Sequence, residues 1–210
     1  YMSYTATYKD ENGETRAVSI TEEDSCEALK NDYAEVLRRY NPRVVCISRA
    51  KAEVGEALHL KVTVNAPSHY VTNADDVSPK PCDSMTADVI CRPGYPLTKV
   101  EVQYPKDRWL ASPNVFTSGR ACLDNWIPFT SSLLTVIDKI THDIIHDPNV
   151  SRYESPACSD LIQWHKDGVL AGIFPTIPPK ALYAPERGAL PPRRSKKLTA
   201  APPPLPRRKL

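Results

Sequence analysis

The chain has 210 residues, of which 41% are hydrophobic, and its formal net charge is +2. This length and apolar content suffice for one globular domain with a buried core and an extension. The charge is uneven: residues 180–210 hold nine Lys or Arg against one acid, Glu186, for a net +8, which leaves −6 on the rest. An acidic globule argues against nucleic acid as a partner of the domain, and any such affinity would lie in the basic segment.

The cysteine pattern argues against a metal centre. Six cysteines, at positions 26, 46, 82, 91, 122 and 158, include no Cys-x-x-Cys pair and are too sparse for a disulfide scaffold. The sequence has no apolar run of roughly 18 residues, and its first residues are polar, so neither a membrane span nor a signal peptide is expected. We therefore expect a cytoplasmic protein with free thiols, no metal ion and no cofactor.

The first predicted elements are a hairpin and a helix. Asn12-Gly13 predicts a tight turn between two short segments. Thr21 is the expected N-cap of a helix with three acids in its first turn, and apolar residues at steps of three or four extend its face to Tyr40. Cys26 lies on that face, and we expect it to pack in the core rather than to act as a second catalytic thiol.

The middle of the chain predicts a sheet followed by helices. Apolar or alternating runs predict four short strands, at 44–47, 58–64, 87–91 and 100–104. A long loop is predicted over 65–84. A central helix is predicted from Pro128, with apolar residues at steps of three and four as far as Ile144, and a shorter helix within 156–170. The order predicts an α+β fold: an N-terminal helix, a four-stranded antiparallel meander, an active-site loop, a central helix and a short C-terminal helix.

The end of the chain differs in composition from the rest. Ten of the 21 prolines lie in residues 175–210, in a basic and aromatic-poor context. Such a segment cannot bury enough surface to offset the entropy of ordering, so we predict a domain over 1–182 and a disordered tail over 183–210. The string Pro-Pro-Leu-Pro-Arg-Arg at 203–208 has the form of a proline-rich docking peptide, although such strings also occur by chance in proline-rich tails.

The residues best suited to chemistry lie between the last predicted strand and the central helix. Cys122 follows a glycine turn at Gly119 and precedes Trp126, and Asn114 stands eight residues upstream, close enough to fold back onto it. A thiol that forms an acyl adduct needs a donor for the developing oxyanion, and a side-chain amide can supply it. By residue type alone, a buried structural thiol at Cys122 and a turn role for Asn114 are the alternatives.

This stretch resembles the active-site segment of ubiquitin-conjugating enzymes. That family carries His-Pro-Asn, a loop with Gly, Ile-Cys-Leu-Asp, and Trp-Ser-Pro before a helix. The matching residues, with the same Asn-to-Cys spacing, are Ser112-Pro113-Asn114, Gly119, Ala121-Cys122-Leu123-Asp124, Trp126 and Pro128, and two further family motifs match at Tyr95-Pro96 and Asp147-Pro148-Asn149. The resemblance implies the family's fold, a thioester cysteine at Cys122 and an oxyanion donor at Asn114. It also implies that Asp124 and Asn149 order the loop or desolvate the incoming amine.

The chain departs from the family pattern at several points. Ser112 replaces the family's His, and the loop between Cys122 and Trp126 is short. Leu97-Thr98-Lys99 stands where Pro-Pro is usual, and Val150-Ser151-Arg152 stands where an acid is common. The pattern is more similar to divergent bacterial relatives, some of them encoded in antiphage defence operons.

The resemblance implies a transferase that acts with an activating enzyme. It would accept the C-terminus of a ubiquitin-like protein on Cys122, or that of a nucleotidyltransferase as some defence relatives do, and pass it to an amine. A cysteine hydrolase is one alternative, and it would need an imidazole from His142, His146 or His165 beside the sulfur. A non-catalytic binding module of the same fold is the other. His142 and His146 have metal-ligand spacing, but we expect a solvated pair near the helix C-terminus, where the dipole favours them.

Overall fold

The structure is a computed structural model that describes residues 2–10, 12–123 and 125–185. Its strands and α-helices follow one another as β1 (Ser3–Lys9), β2 (Thr15–Thr21), α1 (Glu22–Arg39), β3 (Val45–Arg49), β4 (Leu58–Val64), β5 (Ser68–Val71), β6 (Lys80–Cys82), β7 (Met85–Cys91), β8 (Glu101–Gln103), β9 (Trp109–Leu110), α2 (Leu133–Ile144) and α3 (Ile162–Leu170). Short 3₁₀ turns lie at Pro148–Val150, Ser159–Leu161 and Pro179–Leu182. The mixture of antiparallel sheets and helices confirms the predicted α+β class.

The central sheet has four antiparallel strands in the order β3-β4-β7-β8, as the alternating runs predict. Alternation sets the register of β4, because Leu58, Leu60, Val62 and Val64 are buried while the residues between them are not. On α2, the predicted apolar positions Leu133, Ile137, Ile140 and Ile144 are all buried, and the helix packs against α1 and β4. Each fully buried side chain of this kind contributes about 1.5–3 kcal/mol of transfer free energy.

The prediction of a long loop over 65–84 is wrong in part. The chain forms β5 and β6 there, and with β9 they make a separate three-stranded sheet in the order β6-β5-β9. These strands are two to four residues long. One of them contains Pro81, which cannot donate to a ladder, and another begins at the polar Ser68, whose hydroxyl donates to the Ile144 carbonyl at 2.7 Å. Strands this short show too little alternation of apolar and polar residues to be predicted from the sequence.

The N-terminal hairpin and helix form as predicted, with one error. β1 pairs with β2 across a turn in which Gly13 has φ of +78°, and Thr21 caps α1 in a capping box with Asp24. Cys26, however, is exposed, and Ser25 is buried in its place. Adjacent helical residues point about 100° apart, so a small rotation of the buried stripe turns the thiol outward.

Two predicted boundaries also need correction. The central helix begins at Leu133 with Ser132 as its N-cap, rather than directly at Pro128. At the other end of the domain, ordered contacts continue past residue 182: Tyr183 stacks on Tyr40 at 5.7 Å between ring centroids, and the Ala184 N–H donates to the Arg39 carbonyl at 2.9 Å. The remainder of the predicted tail, residues 186–210 with the docking string, lies outside the described residues. Within the described ranges, no helix combines the length and apolarity needed to cross a membrane.

Two buried tyrosines differ in how their hydroxyls are satisfied. Tyr95 donates to the Asp32 carboxylate of α1 and accepts the Leu133 N–H at the start of α2, at 2.7 Å. It therefore ties α1 to the start of α2. Tyr104 is equally buried, and its hydroxyl has no hydrogen-bond partner among the described residues.

These tyrosines form a matched pair for a stability test. We expect Tyr95→Phe to lower the free energy of unfolding by about 2 kcal/mol, because it removes a bond to a charged group and leaves the Leu133 N–H unpaired. Tyr104→Phe should leave it unchanged or raise it by up to about 1 kcal/mol, because it removes an unsatisfied buried hydroxyl. Urea unfolding of both variants measures the difference, and equal losses would contradict the assignment.

Candidate active site

The segment that carries Cys122 is a hairpin fastened to the edge of the central sheet. The Cys122 N–H donates to the Asn114 carbonyl at 2.8 Å, and Val115 bridges Ala121 next to it. The Ala121 N–H in turn donates to the Val102 carbonyl of β8 at 3.0 Å. The hairpin therefore fixes the backbone of Cys122 relative to Asn114, which is the relation that their spacing predicts.

Gly119 closes this hairpin, and both its backbone and its surroundings require glycine. Its φ is +81°, in the left-handed region. A Cβ there would lie 2.7 Å from Nε2 of Gln103 and 2.8 Å from the Tyr104 carbonyl oxygen. The Tyr104 N–H also donates to the Gly119 carbonyl at 2.8 Å, so the hairpin end lies directly against the end of β8.

Cys122 is half-exposed, so it is not the buried thiol that its residue type alone would favour. It lines an open groove of about 410 Å³ together with Lys99, Glu101, Phe116 and Arg120. In the part of the chain that the structure describes, its sulfur takes part in no hydrogen bond. The thiol is thus accessible to a reactant in a groove that carries charges of both signs.

The Asn114 side chain is 1% exposed and fully engaged. Its Nδ2 donates to Oδ1 of Asp143 at 3.1 Å and to the Val150 carbonyl at 3.0 Å, and its Oδ1 accepts the Arg152 N–H at 3.1 Å. The residue therefore performs a structural task, joining the hairpin to α2 and to the turn at Pro148–Val150. An oxyanion role would require it to release one of these two donated bonds.

Asp143 is a functional-site residue that the sequence interpretation missed. It is buried on α2, and its Oδ1 accepts from the Ser112 hydroxyl at 2.6 Å as well as from Asn114. Burial raises the pKa of Asp143 to about 6, and the two hydrogen bonds and Lys139 oppose that rise. A signal was present, since an acid between Ile140 and Ile144 interrupts the apolar stripe of the helix.

The other two predicted site residues are Asn149 and Asp124, of which the structure describes Asn149. Asn149 is exposed, and its Nδ2 donates to Oδ1 of Asp147 at 2.8 Å. It lies next to Val150, whose carbonyl holds Asn114, so it borders the same site without contacting Cys122 through any hydrogen bond. Asp124 lies outside the described residues.

The histidines do not support a Cys–His pair. His142 contacts Oδ2 of Asp147 and the Tyr183 hydroxyl, each at 2.7 Å, and His165 contacts the Tyr153 hydroxyl at 2.8 Å. The buried His146 packs 4.4 Å from the Phe174 ring, and burial holds its pKa well below the usual range. All three are therefore engaged away from the Cys122 sulfur. The prediction that His142 and His146 form a solvated pair is wrong.

The approach to α2 is fixed by an aromatic contact. The Trp126 Nε1–H donates to the Pro96 carbonyl at 2.8 Å, and its ring lies 6.2 Å from that of Tyr95. This brings Trp126 and the Tyr95-Pro96 pair together, which are two of the motifs on which the resemblance rests. Across the described residues, no three His, Cys, Asp or Glu side chains are placed to hold a metal ion.

Comparisons with known proteins assign no family. No family model matches the chain, and no curated protein matches it. The resemblance therefore rests on the motifs themselves.

Gly119 provides a test of how the hairpin is held. Gly119→Ala should lower the free energy of unfolding by about 2–4 kcal/mol, because left-handed strain adds to a clash with β8. Gly172→Ala is the control, since Gly172 has φ of +69° but nothing within 4 Å of its Cβ position. It should lose about 1 kcal/mol from strain alone. Thermal or urea unfolding checks both, and similar losses would contradict the close packing at Gly119.

The buried carboxyl of Asp143 predicts a pH dependence of stability. Its pKa is raised from 3.8 to about 6, so between these values the folded state binds more protons than the unfolded state and stability falls as pH rises. The difference of about 2 pKa units corresponds to about 3 kcal/mol. Relative to Asp143→Asn, the wild type should therefore lose about that much between pH 4 and pH 7 in urea unfolding. Asp107→Asn removes an exposed carboxyl and keeps Asp143, so this control should lose the same stability as the wild type over this range. Parallel curves for the wild type and Asp143→Asn would contradict the buried charge.

Proposed function

We propose that this protein is a ubiquitin-conjugating-like acyl transferase that carries a protein C-terminus as a thioester on Cys122 and passes it to an amine. The observation that supports this most directly is that the thiol of Cys122 is accessible in an open groove. The Cys122 backbone is fixed by the hydrogen bond from its N–H to the Asn114 carbonyl. A carrier needs its sulfur exposed on a rigid support, and it does not need a strong base beside it.

The chemistry of a carrier fits a thiol without an imidazole partner. In loading, the Cys122 thiolate attacks the carbonyl carbon of an incoming thioester, a new C–S bond forms, the old C–S bond breaks, and the activating enzyme leaves as its thiolate. Exchange between two thioesters is nearly isoenergetic, so no general base has to drive it. In transfer, the amine nitrogen attacks the same carbon, the amide forms, the Cys122 thiolate leaves, and the amine proton passes to solvent.

The second step develops negative charge on the carbonyl oxygen. Asn114 could stabilise this charge by exchanging one of its two donated hydrogen bonds for one to the oxyanion, and a donor of this kind is worth about 10²–10³-fold in rate. Asn149 and Asp124 would support the loop or desolvate the amine, as the resemblance implies. No observation favours a cysteine hydrolase, because the candidate imidazoles are engaged elsewhere.

The proposal extends to fold, partners and setting. The order of helix, four-stranded antiparallel sheet, active-site hairpin, central helix and short helix is the order that a ubiquitin-conjugating fold would have. The expected partners are an activating enzyme and a cargo that is either a ubiquitin-like protein or the C-terminus of a nucleotidyltransferase. By the same resemblance, the setting would be bacterial antiphage defence.

The test is intact mass under non-reducing conditions, after co-expression with the products of neighbouring genes. We expect a protein-sized adduct on the wild type that disappears on treatment with a thiol reductant. Cys122→Ala should abolish it, because the acylated sulfur is gone.

Cys46→Ala is the matched control, since Cys46 is a free thiol that is more exposed than Cys122 and lies on β3, outside the candidate site. It should form the adduct as the wild type does. An adduct that Cys46→Ala removes, or one that persists in Cys122→Ala, would contradict the transferase. A binding activity that survives Cys122→Ala without any adduct would instead favour the non-catalytic module.

A further inference from the structure

We infer that Asp143 is a positioning residue for the transfer step, holding Asn114 so that one of its amide N–H groups can turn to the oxyanion. The inference rests on the proposed function, since it concerns the second half of that reaction. Asp143 does not contact Cys122 through a hydrogen bond and acts through Asn114.

The geometry is a convergence of two donors on one buried oxygen. Oδ1 of Asp143 accepts from the Ser112 hydroxyl at 2.6 Å and from Nδ2 of Asn114 at 3.1 Å. The Asn114 backbone N–H also donates to the Ser112 hydroxyl oxygen at 3.1 Å, which closes the arrangement. Because Asp143 lies on the rigid α2, the helix fixes both ends of the short Ser112–Asn114 segment that supports Cys122.

The two bonds donated by Nδ2 of Asn114 are not equivalent. The one to Asp143 is charge-assisted when the carboxyl is ionised, and such bonds are roughly twice as strong as neutral ones. The one to the Val150 carbonyl at 3.0 Å is neutral and joins a short 3₁₀ turn. An oxyanion would therefore displace the Val150 carbonyl while Asp143 keeps the amide plane in place.

The buried surroundings of Asp143 disfavour its ionised form. The groups facing it are the Ser112 hydroxyl, the Asn114 amide, Lys139 on the same helix and the buried Tyr104 phenol at the end of β8. Burial raises the pKa of Asp143 to about 6, so the ionised form destabilises the fold at neutral pH. A neutral Asn could accept the same two bonds without that penalty, so stability alone does not account for an acid at this position.

The experiment separates loading from transfer and needs no natural cargo. The full chain, with Cys26 and Cys46 changed to Ser, is loaded with a synthetic Gly-Gly-terminated peptide presented as its mercaptoethanesulfonate thioester. Peptide mapping confirms the acylated residue. Loss of the acyl group to methoxyamine, whose nitrogen stays unprotonated over the range used, is then followed by intact mass from about pH 5 to about pH 8.

The expected effects are read on the transfer rate, measured on protein that is already acylated on Cys122. Asn114→Ala should slow transfer by up to about 10²–10³-fold, as for loss of an oxyanion donor. Asp143→Asn should slow it by about tenfold. In the Asn114→Ala background, Asp143→Asn should have no further effect, because the two residues act in series. Ser112→Ala, which removes the second donor without touching the charge, should slow transfer less than Asp143→Asn does.

The pH profile gives a readout that a purely structural role would not move. Wild-type transfer should fall as pH drops through about 6, where Asp143 takes up its proton, and the Asp143→Asn profile should lack that inflection. Asp107→Asn should behave as the wild type.

The experiment distinguishes a failure of the proposed function from a failure of the positioning role. If Cys122 loads no faster than Cys46 does in the unsubstituted chain, the proposed function is overturned and this inference with it. If Cys122 loads but Asp143→Asn transfers at the wild-type rate with the wild-type profile, or if its effect adds to that of Asn114→Ala, the carrier stands and the positioning role is overturned.

Discussion

One carboxylate oxygen, Oδ1 of Asp143, holds the hairpin that carries Cys122 against the central helix. The hairpin brings polar groups under the sheet edge, since Ser112 and Asn114 are both almost completely buried. Buried donors must find acceptors, or each destabilises the fold by about 1–3 kcal/mol. The apolar stripe of α2 fixes the depth of that helix in the core, and Asp143 then meets both donors at hydrogen-bonding distance. The position of Cys122 depends on this contact through the Asn114 carbonyl.

The same arrangement explains how the molecule uses its polar side chains. Imidazoles serve packing and hydrogen bonding within the domain: His142 joins Asp147 to Tyr183, and His146 packs on Phe174. Among the described residues, no imidazole is hydrogen-bonded to the sulfur of Cys122, which lines an open groove. Such a distribution is poorly suited to hydrolysis, which needs a positioned proton acceptor, and is compatible with thioester exchange, which does not.

Sequence patterns predicted the elements whose burial is periodic. β4 alternates strictly, and α2 repeats apolar residues at steps of three and four, so each has one face whose environment follows from the pattern. The small sheet of β5, β6 and β9 is too short to show a period, and its strands meet across distant parts of the chain. The prediction that Cys26 packs in the core failed for a related reason. The buried stripe of α1 consists of few residues, so the pattern does not fix the rotation of the helix about its own axis.

The sequence predicted the part of the candidate site whose residues lie close together in the chain. Asn114 and Cys122 lie on the two strands of one hairpin, so eight residues of separation sufficed to bring their backbones together. The partner of Asn114 is Asp143, which lies 29 residues away on α2, so local spacing does not predict the contact. The acid within the apolar stripe indicates a buried polar group without identifying its partner.

Ser112, which stands where the resembled family carries His, is paired with the buried acid Asp143. A serine hydroxyl is short, so it can bond only to an acceptor that comes to it from the core side. α2 provides that acceptor, and the same oxygen then captures Asn114, which the Ser112 hydroxyl also supports through the Asn114 N–H. Removing the Ser112 hydroxyl, or replacing Asp143 with a residue that has no acceptor, leaves buried donors unsatisfied, so we expect substitutions at the two positions to be coupled. The backbone position of Cys122 is therefore linked, through Asn114, to a helix that does not carry the cysteine.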